Sequence, residues 1–171
     1  ADNPVIAYDL PGHAGSLDLE PGGAGRMAKA ILADLDLRQI SRFHLCGHSL
    51  GGATAALIAF RVPDRVASLT FLAPGGFGPA INADALAIWR DAIDENSLHD
   101  ALGVMCADGF AYPPDALASL AEARRMSGSH AALSRIYQSM FVPGEGKDQG
   151  VLPLGEFAKL GMPVRVLWGT G

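Results

Sequence analysis

The sequence predicts an α/β fold, a mostly parallel sheet whose strands are joined by crossover helices. Three observations carry this. Short apolar runs at 5–8, 43–46, 66–72 and 164–168 alternate with segments of helical spacing. A Gly-His-Ser-Leu-Gly turn at 47–51 sits between one such run and an alanine-rich segment. Residues 83–141 hold no strand-like run, so the last strand is reached only after a long insertion.

Each element has its own reason. Val5-Ile6-Ala7-Tyr8 reads as a short buried strand, and Asp9-Leu10-Pro11-Gly12-His13 as the turn after it, since proline fixes one dihedral and glycine accepts positive φ. Residues 24–37 place Met27, Ile31, Leu32 and Leu35 at helical spacing, with Lys29, Asp34 and Asp36 at other positions. Phe43 to Cys46 is a second strand. Ala53 to Phe60 is small and apolar, as suits a helix packed tightly under a sheet, and Pro63-Asp64-Arg65 ends it. Val66 to Leu72 is a third strand and Pro74 to Pro79 a loop of turn formers. Helix-like segments follow at 83–95, 97–107, 114–126 and 129–141, then a Gly- and charge-rich connection over 142–150. Pro163 announces the fourth strand, Val164 to Trp168. Its nearly unbroken apolar character predicts a sheet covered on both faces.

The predicted division is a core at 1–78, a helical cap at 79–145 and a return to the core at 146–171. A long insertion at a loop, where function tends to sit, suggests a lid or cap. Its residues Ala85, Leu86, Ile88, Trp89, Leu98, Leu102 and Met105 suit either internal packing or the walls of a hydrophobic pocket.

Composition sets bounds. The chain has 171 residues, 49% hydrophobic and 18% charged, enough for a sizeable globular core. The formal net charge is −5 and the basic residues are scattered, so no nucleic-acid footprint is present. No apolar run reaches the roughly 18 residues of a spanning helix, which argues against a membrane. Ala1-Asp2-Asn3-Pro4 lacks the basic and apolar regions of a signal peptide. Cys46 and Cys106 fit neither a metal spacing nor a disulfide framework. Cys46 reads as a small buried hydrophobe, and the cysteine usage leans to the cytoplasm. No metal or organic cofactor is called for.

The turn at Gly47-His48-Ser49-Leu50-Gly51 carries the chemistry. Between a strand and a helix, a G-x-S-x-G turn lifts the serine hydroxyl clear of the backbone. Glycine on either side, Gly47 and Gly51, removes side chains that would collide. Ser49 is the candidate nucleophile, and the Leu50 amide points at the developing oxyanion at a helix start. His48 reads as a pocket or packing residue rather than the base. His44 reads as structural, His13 as a weak candidate to line the site, and His99 and His130 as solvated or packed. A serine needs a base to take its proton, and neither base nor acid is placed by these residues.

Three landmarks in order resemble the α/β-hydrolase superfamily over essentially the whole chain. Asp9 to His13 resembles the family's D-x-P-G-H turn after its fourth strand. Gly47 to Gly51 resembles its nucleophile elbow after the fifth. Pro163-Val164-Arg165-Val166-Leu167-Trp168-Gly169 resembles its seventh strand, so the helical cap falls between the sixth and seventh. The family turn often continues G-H-G-x-S, where this chain has Gly12-His13-Ala14-Gly15-Ser16. Ala14 is tolerable there unless the position needs positive φ. The resemblance implies a partial chain: an acid directly after Gly171, a histidine further on, and the second oxyanion donor before Ala1. The run Leu72 to Asn82, with the helices after it, further resembles the hydrolase-like domain of acetoin dehydrogenase dihydrolipoamide acetyltransferase components. There the fold follows a lipoyl domain and the complex passes an acetyl group to coenzyme A. No lipoyl-lysine motif occurs here, so such a domain would lie upstream.

The implied function is acyl hydrolysis or acyl transfer by Ser49 on a small-molecule acyl or carbonyl substrate. The implied partner is a multienzyme dehydrogenase complex or a second copy of the chain. A carbon–carbon-bond or ester hydrolase is the alternative, and a non-catalytic interaction domain the alternative from a different class.

Overall fold

In the computed structural model, residues 4–107, 109–144 and 147–169 are described. Ala1–Asn3, Thr170 and Gly171 lie outside them, and with them the start of the leader reading and the end of the seventh-strand pattern. Three strands, β1 (Phe43–His48), β2 (Val66–Leu72) and β3 (Val164–Leu167), form a parallel sheet in that order. Helix α1 (Ala24–Leu37) precedes β1, and α2 (Leu50–Arg61) joins β1 to β2. Four helices lie between β2 and β3: α3 (Ala83–Asp91), α4 (Glu95–Met105), α5 (Pro114–Arg125) and α6 (Ser129–Ser139).

The core follows from the side-chain period of the strands. Leu45 of β1 pairs with Leu69 of β2, and Gly47 with Phe71, so these positions share one face. Against that face lies α2, whose Ala53, Ala55, Ala56 and Ala59 are all buried. Methyl side chains let the helix axis approach the sheet closely. Phe77 and Phe157 fill the space beyond, stacking edge-on to Phe71 at ring distances of 5.3 and 5.9 Å. Helix α1 packs on α2 through buried Met27, Ala28 and Leu35. Its C-terminus closes with Gln39 at φ 57 and the Ile40 amide donating to Leu35 O at 2.9 Å, a left-handed cap built without glycine.

The helices between β2 and β3 have a core of their own. Ala92, Leu98, Ala101 and Ala121 are buried together, with Trp89, Leu117 and Leu120 packed around them. Arg124 is buried beside this cluster. It donates to Trp89 O and Arg90 O at 3.1 and 3.3 Å, and its guanidinium lies 4.7 Å from the Trp89 ring centroid. Ala85 and Leu98 pack inward, whereas Ile88 and Met105 are exposed. The unit leans on the rest at Gly12, where an added Cβ would lie 3.2 and 3.4 Å from Ile136 and Ala132 of α6.

Three expectations are corrected. Val5 to Tyr8 is not a strand: it pairs with none of the three strands, and Val5 and Ile6 are exposed. The Tyr8 hydroxyl instead donates to Asp34 Oδ2 of α1 at 2.8 Å. Burial first, and the Asp34 carboxylate second, push this phenol up to about 12. Cys46 is exposed rather than buried. It shares the sheet face of His44 and His48, opposite α2, and no described element covers that face. On it, His44 Nδ1 and Ser68 Oγ are hydrogen-bonded at 2.7 Å. β3 is exposed at all four residues, because no described helix packs extensively on either of its faces. The position of Ala14 does adopt positive φ, at 36°, so alanine there carries strain where the family often has glycine.

Candidate active site

Strand β1 runs straight into α2 with one residue between them. That residue is Ser49, with φ 50° and ψ −117°, outside every region that L-residues favour. The turn is enforced from both sides. The Ser49 amide donates to Leu72 O of β2 at 3.1 Å. Its carbonyl accepts from Gly52 N, Ala53 N and Gly75 N at 2.9, 3.1 and 2.9 Å.

Of the two flanking glycines, Gly47 relieves a collision as the spacing suggests and Gly51 does not. An added Cβ on Gly47 would stand 2.3 Å from Gly51 O and 2.6 Å from Gly51 C, so this position admits glycine alone. A Cβ on Gly51 meets nothing within 4 Å, which corrects the expectation that it relieves a collision. The second tight position is Gly52, where a Cβ would lie 2.8 Å from the Pro74 ring and 3.2 Å from Gly47 O. Gly52 and Gly75 were missed as site residues. Their signal in the sequence is the Gly51-Gly52 doublet and the Pro74-Gly75-Gly76 run within the loop of turn formers.

Leu50 is the first residue of α2, so its amide has no acceptor within the helix and faces the helix start. The helix dipole adds partial positive charge there. One turn on, Thr54 Oγ1 donates back to Leu50 O at 2.9 Å, bracing the first turn. Ser49 is half-buried and thus reachable.

The histidines are not gathered at Ser49. Among the described residues no side chain hydrogen-bonds the Ser49 hydroxyl. His48 is exposed at the end of β1, in register with Leu72. His13 is half-buried, with Nδ1 3.2 Å from Leu10 O. Burial holds its imidazole below the ordinary value, against the opposing pull of the Leu10 and Pro11 carbonyls. His130 Nε2 lies 3.0 Å from Asp91 Oδ1, linking α6 to α3. His99 is exposed beside Asp100. Among the described residues no three His, Cys, Asp or Glu side chains are grouped to hold a metal ion. No described helix is long and apolar enough to cross a membrane.

The sequence model of the alpha/beta hydrolase family matches residues 1–171. The dihydrolipoyllysine-residue acetyltransferase component of the acetoin cleaving system of Pseudomonas putida is 36% identical over 170 residues, 99% of this chain and 45% of its own length. The component of the same name from Cupriavidus necator is 32% identical over 166 residues, 96% of this chain and 44% of its own length. The chain thus spans less than half the length of these two relatives. Among solved structures, the 2-hydroxy-6-oxo-6-phenylhexa-2,4-dienoate hydrolase of Rhodococcus superposes with a TM-score of 0.68 at 20% identity, covering 96% of this chain and 57% of the other.

Proposed function

The chain belongs to the alpha/beta hydrolase family, and from that premise we propose that Ser49 is the nucleophile of an acyl-transfer reaction. The observation that carries this is the backbone of Ser49, held at φ 50° and ψ −117° between β1 and α2. Strain of this kind costs about 1–3 kcal/mol and persists where the surroundings impose it. Here it puts the hydroxyl outside both strand and helix, beside the Leu50 amide, which has no acceptor within α2.

In this reading Ser49 Oγ attacks a carbonyl carbon and passes its proton to a base. The family pattern puts that base, a histidine with its acid, C-terminal to Gly169. The carbonyl oxygen gains negative charge and is held by the Leu50 N–H at the start of α2. Collapse expels the leaving group and leaves an acyl-enzyme ester on Ser49. A second nucleophile then takes the acyl group. The names of the Pseudomonas putida and Cupriavidus necator relatives favour a thiol acceptor, in a component of a multienzyme complex, over water. The substrate is a small acyl or carbonyl compound, and α3–α6 serve as the cap above it.

The test is Ser49→Ala in the full-length protein. Loss of the nucleophile lowers turnover of p-nitrophenyl acetate, or acetyl transfer to a thiol, by several orders of magnitude and leaves the melting temperature within a few degrees. Comparing thiol with water as acceptor separates transferase from hydrolase. Turnover in Ser49→Ala near that of the parent refutes the assignment and leaves the interaction-domain reading.

A further inference from the structure

We infer that Gln149 is a positioning residue that ties both hinges of the α3–α6 unit to the nucleophile turn. The inference rests on Ser49 being the nucleophile.

The chain leaves β2 through residues 73–80 and returns to the core through 147–152. Gln149 is half-buried where the two segments meet, in an antiparallel bridge with Phe141. It holds the outgoing segment at three points. Its backbone amide donates to Pro79 O at 2.9 Å. Its side-chain Oε1 accepts from Gly76 N, and its Nε2 donates to Ala80 O, each at 3.1 Å. Donor on one side and acceptor on the other fix the amide's orientation uniquely. Farther along, Leu152 N donates to Gly76 O at 2.8 Å and closes the seam.

The Gly76 end reaches the active serine. Gly75 lies between Gln149 Oε1 and Ser49 O: a Cβ placed on it would be 3.6 Å from the one and 3.5 Å from the other. Its amide donates to Ser49 O at 2.9 Å, the one bond among the described residues that reaches that carbonyl from outside α2. A trans peptide is planar, so gripping the Ser49 carbonyl also sets the direction of the Leu50 N–H across the same bond. That N–H is the oxyanion donor. The Gln149 carbonyl oxygen therefore acts through Gly76 and Gly75 on the aim of the oxyanion donor. The Gln149 amide nitrogen acts on the hinge at Ala80.

Glutamine combines two functions that glutamate and alanine separate. At about pH 8, Gln149→Glu keeps the acceptor for Gly76 N and loses the donor to Ala80 O. Gln149→Ala loses both. The measurement is the rate of covalent labelling of the full-length protein by a fluorophosphonate, which reads nucleophile and oxyanion donor without a known substrate. Hydrogen exchange at 76–82 and the melting temperature are followed alongside. Gln149→Ala slows labelling about tenfold, the effect of roughly one lost hydrogen bond. Gln149→Glu labels within about threefold of the parent while exchange at 80–82 rises. If both variants label at the parental rate and Ser49→Ala is silent, Gln149 does not position the turn. If both slow equally, in step with their melting temperatures, its role is only structural and the inference fails. If Ser49→Ala is itself labelled at the parental rate, the nucleophile assignment falls and takes the inference with it.

Discussion

Two glycines of one pentapeptide, four residues apart, respond to alanine with opposite signs. At Gly47 the new methyl starts 2.3 Å from Gly51 O, and real contacts of a Cβ essentially never fall below 3.0 Å. The obstacle is backbone of α2's first turn, so no rotamer change relieves it. Either β1 or the start of α2 must shift, against the bonds that hold Ser49 in place. Forced overpacking costs about 1–3 kcal/mol, and a backbone obstacle puts Gly47→Ala at the upper end. At Gly51 the methyl meets nothing, in a helix where alanine is favoured by about 0.4–1 kcal/mol over glycine. The two variants therefore differ by about 3–4 kcal/mol in unfolding free energy. Urea denaturation, comparing midpoints at equal m-value, measures that gap. Equal midpoints, or a Gly51→Ala variant less stable than Gly47→Ala, would refute the packing account of the elbow.

Other substitutions probe the remainder. Ala14→Gly removes left-handed strain and raises the thermal midpoint, by up to about 1 kcal/mol in stability after glycine's entropy is charged against it; a lower midpoint contradicts the strain. The Asp91 carboxyl is held down to about 2 by the Arg90 guanidinium first and His130 second. A depressed carboxyl stabilises the fold fully above its ordinary value and loses that contribution as pH falls toward its folded value. Asp91→Asn is thus less stable than the parent near neutrality, and denaturation midpoints of the two converge as pH drops from about 4 toward 2; a pH-independent gap is the contrary result. Arg124→Met keeps bulk but abandons two charge-assisted bonds to α3 carbonyls and the contact with Trp89, and lowers stability by about 2–4 kcal/mol. Trp89 emission reports it, and an unchanged melt argues that the guanidinium is dispensable.

The sequence was most legible where local chemistry and tertiary structure agree. Val66–Leu72 is a strand at the bounds its apolar run suggests, and α1 occupies the segment where Met27 and Leu35 recur at helical spacing. The Gly47–Gly51 turn announced its own place between strand and helix. Failures came where the answer depends on neighbours rather than on the segment. Val5-Ile6-Ala7-Tyr8 has strand composition, yet a strand exists only through a ladder partner, and β1, β2 and β3 offer it none. Cys46 has an apolar context, yet alternation along β1 turns it to the uncovered face. Gly51 is marked by the motif, while Gly52 is the position under pressure, because the obstacle is Pro74, 22 residues away along the chain. Gln149 carries no motif at all. Its place follows from two segments, separated by four helices, meeting at one amide.

The α3–α6 unit packs around Ala92, Leu98, Ala101 and Ala121, apart from the core beneath the sheet. It departs and returns through segments that lie side by side at 76–80 and 149–152. In evolutionary terms this is a cassette with adjacent splice points. A crossover between related genes at those two places exchanges a whole packed body for another, while the elbow stays as it was. An incoming cassette must still fit Gly12 and Gly23, where added Cβ atoms would meet Ala132, Ile136 and Ser139 of α6, and supply an amide at the seam. The helical unit can therefore be exchanged as one body while the turn at Ser49 keeps its bonds to Leu72, Gly52, Ala53 and Gly75.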